Sequence, residues 1–146
     1  MKKFIYLIVA LVLAYGFAKE QGVSIPGFSG QSSAEVSNAA LLQAYNRQQS
    51  DVQVGGQGQV VKVLRDDLKG SRHQKFILKI AGGPSVLVAH NIDLAPRIDG
   101  LRAGDSVEFY GEYEWNDKGG VVHWTHRDPG RRHVDGWLKH DGKTFE

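Results

Sequence analysis

Six histidines, His73, His90, His123, His126, His133 and His140, are the residues of this 146-residue chain best suited to chemistry near neutral pH. Neutral imidazole is the commonest metal ligand, and its unperturbed pKa is close to physiological pH. His123-x-x-His126, followed by Asp128 and His133, has the short spacing of a metal site, and a divalent metal is the cofactor it would take. Residues three apart on a continuing strand point to opposite faces, so a shared ion requires the strand to end near Thr125. The competing use is local hydrogen bonding at turns and on the surface. No helical His-Glu-x-x-His pattern occurs in the sequence.

A second group gathers where strands are expected to end: Asp66 and Asp67, then Arg72 and His73, then His90, Asn91, Asp93 and Arg97. Asp66, Asp67, His73, His90 and Asp93 are the catalytic candidates, because carboxylates beside imidazoles can hold a divalent cation or move protons. Arg72, His73, His90, Asn91, Asp93 and Arg97 are the ligand-binding candidates, since guanidinium can clamp a phosphate or carboxylate through paired hydrogen bonds. The same types are also turn formers. On that alternative Asp66 and Asp67 cap a turn, Asn91 and Asp93 make an Asx-turn, and Arg97 pairs with a neighbouring acid.

Charge is polarised along the chain. Residues 62–79 carry Lys62, Arg65, Lys69, Arg72, Lys75 and Lys79 against Asp66 and Asp67, a net of +4, whereas residues 105–117 sum to −5. Without Lys2 and Lys3 the chain has 16 basic and 16 acidic residues, which argues against a general polyanion sponge. Arg127, Arg131 and Arg132 form a smaller basic cluster. Trp115, Trp124 and Trp137 can stack a sugar, but two of them fall at inward strand positions, which favours core packing.

These residues are positioned by a short series of elements. Ser32-x-x-Glu35 fits a capping box, and Val36, Ala39, Ala40, Leu42, Ala44 and Tyr45 recur at helical spacing, predicting an amphipathic helix within residues 32–50. After Gly55-Gly56 the period becomes two. Strands are predicted over Gln59–Arg65, His73–Ile80, Ser85–Ala89, Val107–Trp115 and Val121–Thr125, with a long connection from Asn91 to Gly104. Three strands in a meander, a long connection and a hairpin match the mainly β, five-stranded Greek-key barrel of the OB-fold, here preceded by one helix. An open α+β sheet is the alternative. The barrel domain spans residues 52–146, with an irregular tail from His126 onward. The meander places the turn after the first strand at the same end as the exit of the third, so the two polar groups are predicted to meet.

Lys2 and Lys3, the uncharged run Phe4–Ala18 of fifteen residues, and Gly16-Phe17-Ala18 form the layout of a secretory signal over residues 1–18. Residues 19–31, rich in Gly, Ser and Gln, then form a tether. Export to the periplasm or medium is the expectation; an uncleaved helix anchored in the membrane is the alternative. The absence of cysteine from all 146 residues excludes disulfides and lipid anchoring through a cysteine.

Asp66-Asp67 with Gly70-Ser71-Arg72-His73-Gln74, the block Ala89–Arg97, Gly111-Glu112-Tyr113-Glu114-Trp115 and His123-Trp124-Thr125-His126 resemble the bacterial family catalogued as domain of unknown function 3465. The resemblance runs from Val54 onward. It implies a small exported single-domain protein and assigns neither activity nor site residues.

Three functions follow as expectations. The first is an exported binding module whose partner is an anionic or oligomeric ligand, nucleic acid among them, or another protein; it would bind through the basic second and third strands and the Arg72, His90 and Arg97 region. The second is a metal-assisted, nuclease-like hydrolase of phosphodiesters using Asp66, Asp67, His73, His90 and Asp93, with Arg72 stabilising developing charge. The third is a structural protein whose histidines respond to pH.

Overall fold

The computed structural model describes residues 33–146, and side chains from Asn38 onward. The expected signal segment 1–18, the tether 19–31 and the capping box at Ser32 lie outside the described residues. No helix among the described residues is long and apolar enough to cross a membrane.

One helix, α1 (Ser33–Asn46), precedes seven strands: β1 (Val52–Val63), β2 (His73–Ile80), β3 (Ser85–Asn91), β4 (Ser106–Glu114), β5 (Val121–His123), β6 (Trp137–His140) and β7 (Lys143–Phe145). β1 to β3 form an antiparallel meander, β5 lies parallel to β3 and antiparallel to β4, and β4 returns to pair with β1. The closed order β1-β2-β3-β5-β4 is the five-stranded barrel predicted from the strand spacing. Alternation explains its core. Phe76, Leu78 and Ile80 of β2, Val86 and Val88 of β3, and Val107, Phe109 and Tyr113 of β4 are buried, while the intervening residues face outward.

Three expectations need correction. β1 begins at Val52, seven residues before the predicted start, because Gly55, Gly56 and Gly58 belong to the strand instead of ending a loop. The strand coils there, pairing with β4 through its first half and β2 through its second. A Cβ on Gly56 would lie 2.5 Å from the Phe109 ring and 2.6 Å from Asn38 Oδ1, so close approach explains the glycine.

The helix buries Asn38, Leu41 and Ala44 and exposes Ala39 and Ala40, so its inner face is displaced from the apolar stripe. Asn38 is the reason: its Oδ1 accepts the Gln57 amide at 2.8 Å and ties α1 to β1. An Asn38→Ala variant is expected to lose about 1–2 kcal/mol in urea unfolding, since it leaves the part-buried Gln57 amide without its partner. An unchanged midpoint would show that this bond does not hold the helix.

The tail is irregular only as far as Gly136. β6 and β7 form a hairpin on β4, turning at Asp141 (φ 52°) and Gly142 (φ 75°). Two successive left-handed residues make the type I′ geometry that Asp-Gly favours. The strands have only four and three residues, too few to display alternation. Leu138 and Phe145 join the core, and Trp137 stacks on Tyr110 with ring centroids 6.2 Å apart.

Candidate functional site

At one end of the barrel the β1–β2 loop meets the start of the β3–β4 loop, as the meander predicts. The contacts are specific. Arg72 Nε donates to Asp93 Oδ1 at 2.7 Å while its backbone amide donates to Asp93 Oδ2 at 2.8 Å. Arg97 reaches Asp66 through Nε at 2.8 Å and Nη2 at 3.3 Å, and Asp99 through Nη1 at 2.9 Å. Asp67 pairs its backbone with His73, accepts the Lys69 amide on Oδ1 and lies 3.4 Å from Lys75 Nζ. Asn91 Oδ1 accepts the Asp93 amide at 2.9 Å, an Asx-turn.

Electrostatics follow from these bonds. The Arg72 amide, then its guanidinium, hold the Asp93 carboxyl below the ordinary carboxylate value; the Lys69 amide, then Lys75, do the same for Asp67. Asp66, then Asp99, raise the Arg97 guanidinium. Acid is matched to base within the rim. The pairs are surface exposed and screened by solvent, and their main effect is to fix the loops in register.

Beneath the rim, His90 is fully buried. Its Nε2 is 2.9 Å from the Pro96 carbonyl, which can only accept, so Nε2 carries the proton and Nδ1 accepts from Thr125 Oγ1 at 2.7 Å. Burial pushes the ring down from 6.5 to about 4. Both nitrogens of His90 are thereby occupied. Next to it on β2, Gln74 donates to the Ile98 carbonyl and accepts the Ile98 amide, both at 2.9 Å. Gln74 was not identifiable as a key residue from sequence: a polar residue at an inward strand position was the only signal.

The second histidine group is divided by the end of β5. The strand stops at His123, because Trp124 takes a left-handed conformation with φ 54°. His126 turns inward and bonds the Arg127 carbonyl, and Asp128 accepts the amides of Gly130, Arg132 and His133. Those amides, Arg132 first, lower the Asp128 carboxyl. His123 and His133 instead face the acidic strand β4, each with Nε2 3.4 Å from Glu112 Oε2. Among the described residues no group of three or more histidine, aspartate or glutamate side chains is placed to hold a metal ion. Trp124 was expected to pack inward; it lies against His133, with centroids 3.9 Å apart and planes at 9°.

Two surface features remain. A shallow groove of about 580 Å³ runs between the β3–β4 loop and the β6–β7 turn, where Asp105 accepts the Arg102 amide and lies 3.0 Å from His140 Nε2. Neither Arg102 nor Asp141, which also line it, was distinguishable in the sequence from ordinary turn residues. On the β1–β2 hairpin, Lys62, Arg65, Lys69 and Lys79 are exposed, and none has a carboxylate within 4.0 Å among the described residues. Lys62 and Lys79 share the outer face, opposite Ile77 and Gln59 in the register.

A small closed barrel in this strand order, with its loops joined at one rim, is an OB-fold-like protein. The chain belongs to the family described as Protein of unknown function (DUF3465), whose model matches residues 24–146. The match begins before α1, so the helix is part of the family's unit as well as the barrel. No curated relative matches the chain.

Proposed function

We propose that the chain is an exported, non-catalytic binding module that takes an anionic oligomer on the outer face of the β1–β2 hairpin. The observation carrying this reading is the contrast between two sets of cations. Arg72, Lys75 and Arg97 are matched by carboxylates, whereas Lys62, Arg65, Lys69 and Lys79 point outward without one among the described residues. Unmatched charge on a rigid hairpin attracts phosphate or carboxylate groups and costs no internal ion pair on binding. The site overlaps the usual OB-fold binding surface in the second strand and the loop that joins it to the first. Export rests on the Lys2–Ala18 pattern.

The hydrolase alternative has less support. Asp66, Asp67 and Asp93 direct their oxygens at Arg97, Lys69 and Arg72, and His90 has no free nitrogen. Removing those carboxylates from their partners would be needed before they could hold a cation together.

Anisotropy of a labelled oligothymidylate, titrated with protein at rising salt, tests the binding reading. Four phosphate contacts predict that log K falls with log salt with a slope of about −3. Absence of binding at low salt, or affinity indifferent to salt, contradicts it. Binding of heparin but not of the oligonucleotide would retain the face and assign it to polysaccharide.

A further inference from the structure

We infer that Tyr110 and Trp137 form a second binding site, for an uncharged oligosaccharide, on the outer wall of β1, β4 and β6, separate from the β1–β2 hairpin face. The register sets Gly55 of β1, Tyr110 of β4 and Trp137 of β6 in one row across the three strands. The row faces outward, since the neighbours Val54, Phe109 and Leu138 are buried. The two half-buried rings lie within 26° of parallel, with centroids 6.2 Å apart. Exposed Lys139 extends over the Trp137 ring, its Nζ 5.3 Å from the centroid, so that face is reached from solvent by a side chain free to move away.

Gly55 points to a ligand at this row. A Cβ on Gly56 or Gly58 would collide with Phe109 or the Lys79 carbonyl, so packing explains those two glycines. A Cβ on Gly55 would meet only the Tyr110 ring at 3.4 Å and the Phe109 carbonyl at 3.7 Å, both ordinary contacts, and its φ is not positive. Neither packing nor backbone conformation demands glycine there, and a glycine inside a strand weakens it. Its missing side chain leaves the edge of Tyr110 uncovered.

Polar rows flank the rings about 6–7 Å away on either side, two residues along each strand. One carries Gln53, whose buried amide nitrogen has no hydrogen-bond partner. The other carries Glu108, exposed and without a basic side chain within 4.0 Å among the described residues. An aromatic face is electron-rich and takes the electropositive C–H groups of a pyranose. The sugar's hydroxyls then extend sideways, donating to Glu108 and accepting from Gln53. Glu108 and Glu112 repel a polyanion from this wall. A protein partner needs about 800 Å² on each side, more than a row of two rings supplies.

Calorimetric titration of N-acetylchitotetraose and of cellotetraose into the full chain tests the inference. At least one should bind saturably, with an affinity indifferent to added salt. Trp137→Ala and Gly55→Ile should each weaken binding at least about tenfold. Gly55→Ile should melt no lower than the native chain, because a β-branched residue suits the strand, so its loss of binding cannot come from unfolding. Lys62→Glu/Lys79→Glu should leave sugar binding unchanged, which separates this site from the anionic face proposed above. Three results would overturn the inference: neither sugar binding the native chain, binding that survives Trp137→Ala or Gly55→Ile, or binding lost with Lys62→Glu/Lys79→Glu.

Discussion

Replacing Gln74 with alanine is expected to lower the unfolding free energy by about 3–5 kcal/mol, a large effect for a polar residue on a strand. Gln74 is completely buried, and its carboxamide completes both hydrogen bonds of Ile98 as a strand partner would. Ile98 is itself fully buried and anchors the long β3–β4 loop to the core. Alanine leaves the Ile98 N–H and C=O without partners, and each stranded group costs about 1–3 kcal/mol. Equilibrium urea unfolding measures the loss as a lower midpoint with unchanged slope. A decrease below about 1 kcal/mol would mean that water replaces the carboxamide and that the loop is held by other contacts.

The second large effect is a loss of stability in mild acid. His90 has its folded pKa depressed by burial to about 4 from 6.5, so the unfolded chain binds a proton that the folded chain refuses. Its contribution is therefore complete above pH 6.5, declines as the pH falls, and is fully lost near pH 4. At 1.36 kcal/mol per pKa unit the loss amounts to about 3 kcal/mol. The lowered carboxyls of Asp67, Asp93, Asp105 and Asp128 act in the same direction but below the ordinary aspartate value of 3.8, so the two windows separate. Unfolding free energies between pH 4 and 7 measure the slope, and His90→Asn should flatten it. Ring resonances of the native protein give a readout that needs no variant: His90 should remain neutral at pH 5. A charged His90 at that pH would contradict the prediction.

Much of this fold could be read from residues alone, for reasons that particular elements make clear. β2 and β4 alternate strictly between core and surface over eight and nine residues, so period and boundaries were visible. The β1 glycines were not, because a glycine needed for close packing is indistinguishable in sequence from one needed for a turn. The β6–β7 hairpin had a legible turn, Asp141-Gly142, but strands too short to confirm it. Asn38 is buried because it matches one backbone group far along the chain, and Gln74 because it matches two, and periodicity carries no information about such partners. The rim residues were correctly brought together by strand polarity. Which arginine meets which aspartate depends on loop conformation, which residue types leave open. Likewise, His123 and His133 could be seen as candidates, but Glu112 joins them only through the β4–β5 register.

The account depends most on the division between matched and unmatched cations, and one comparison tests it directly: oligothymidylate affinity at low salt for Lys62→Glu/Lys79→Glu against Arg72→Ala/Arg97→Ala. The account predicts that the first pair loses at least about tenfold in affinity with an unchanged melting temperature, because two contacts become repulsive and no internal ion pair is broken. The second pair should retain its affinity and melt slightly lower, since the ion pairs it breaks are exposed and screened by solvent. Affinity lost in the arginine pair and kept in the lysine pair would place the anion site on the rim and contradict the account.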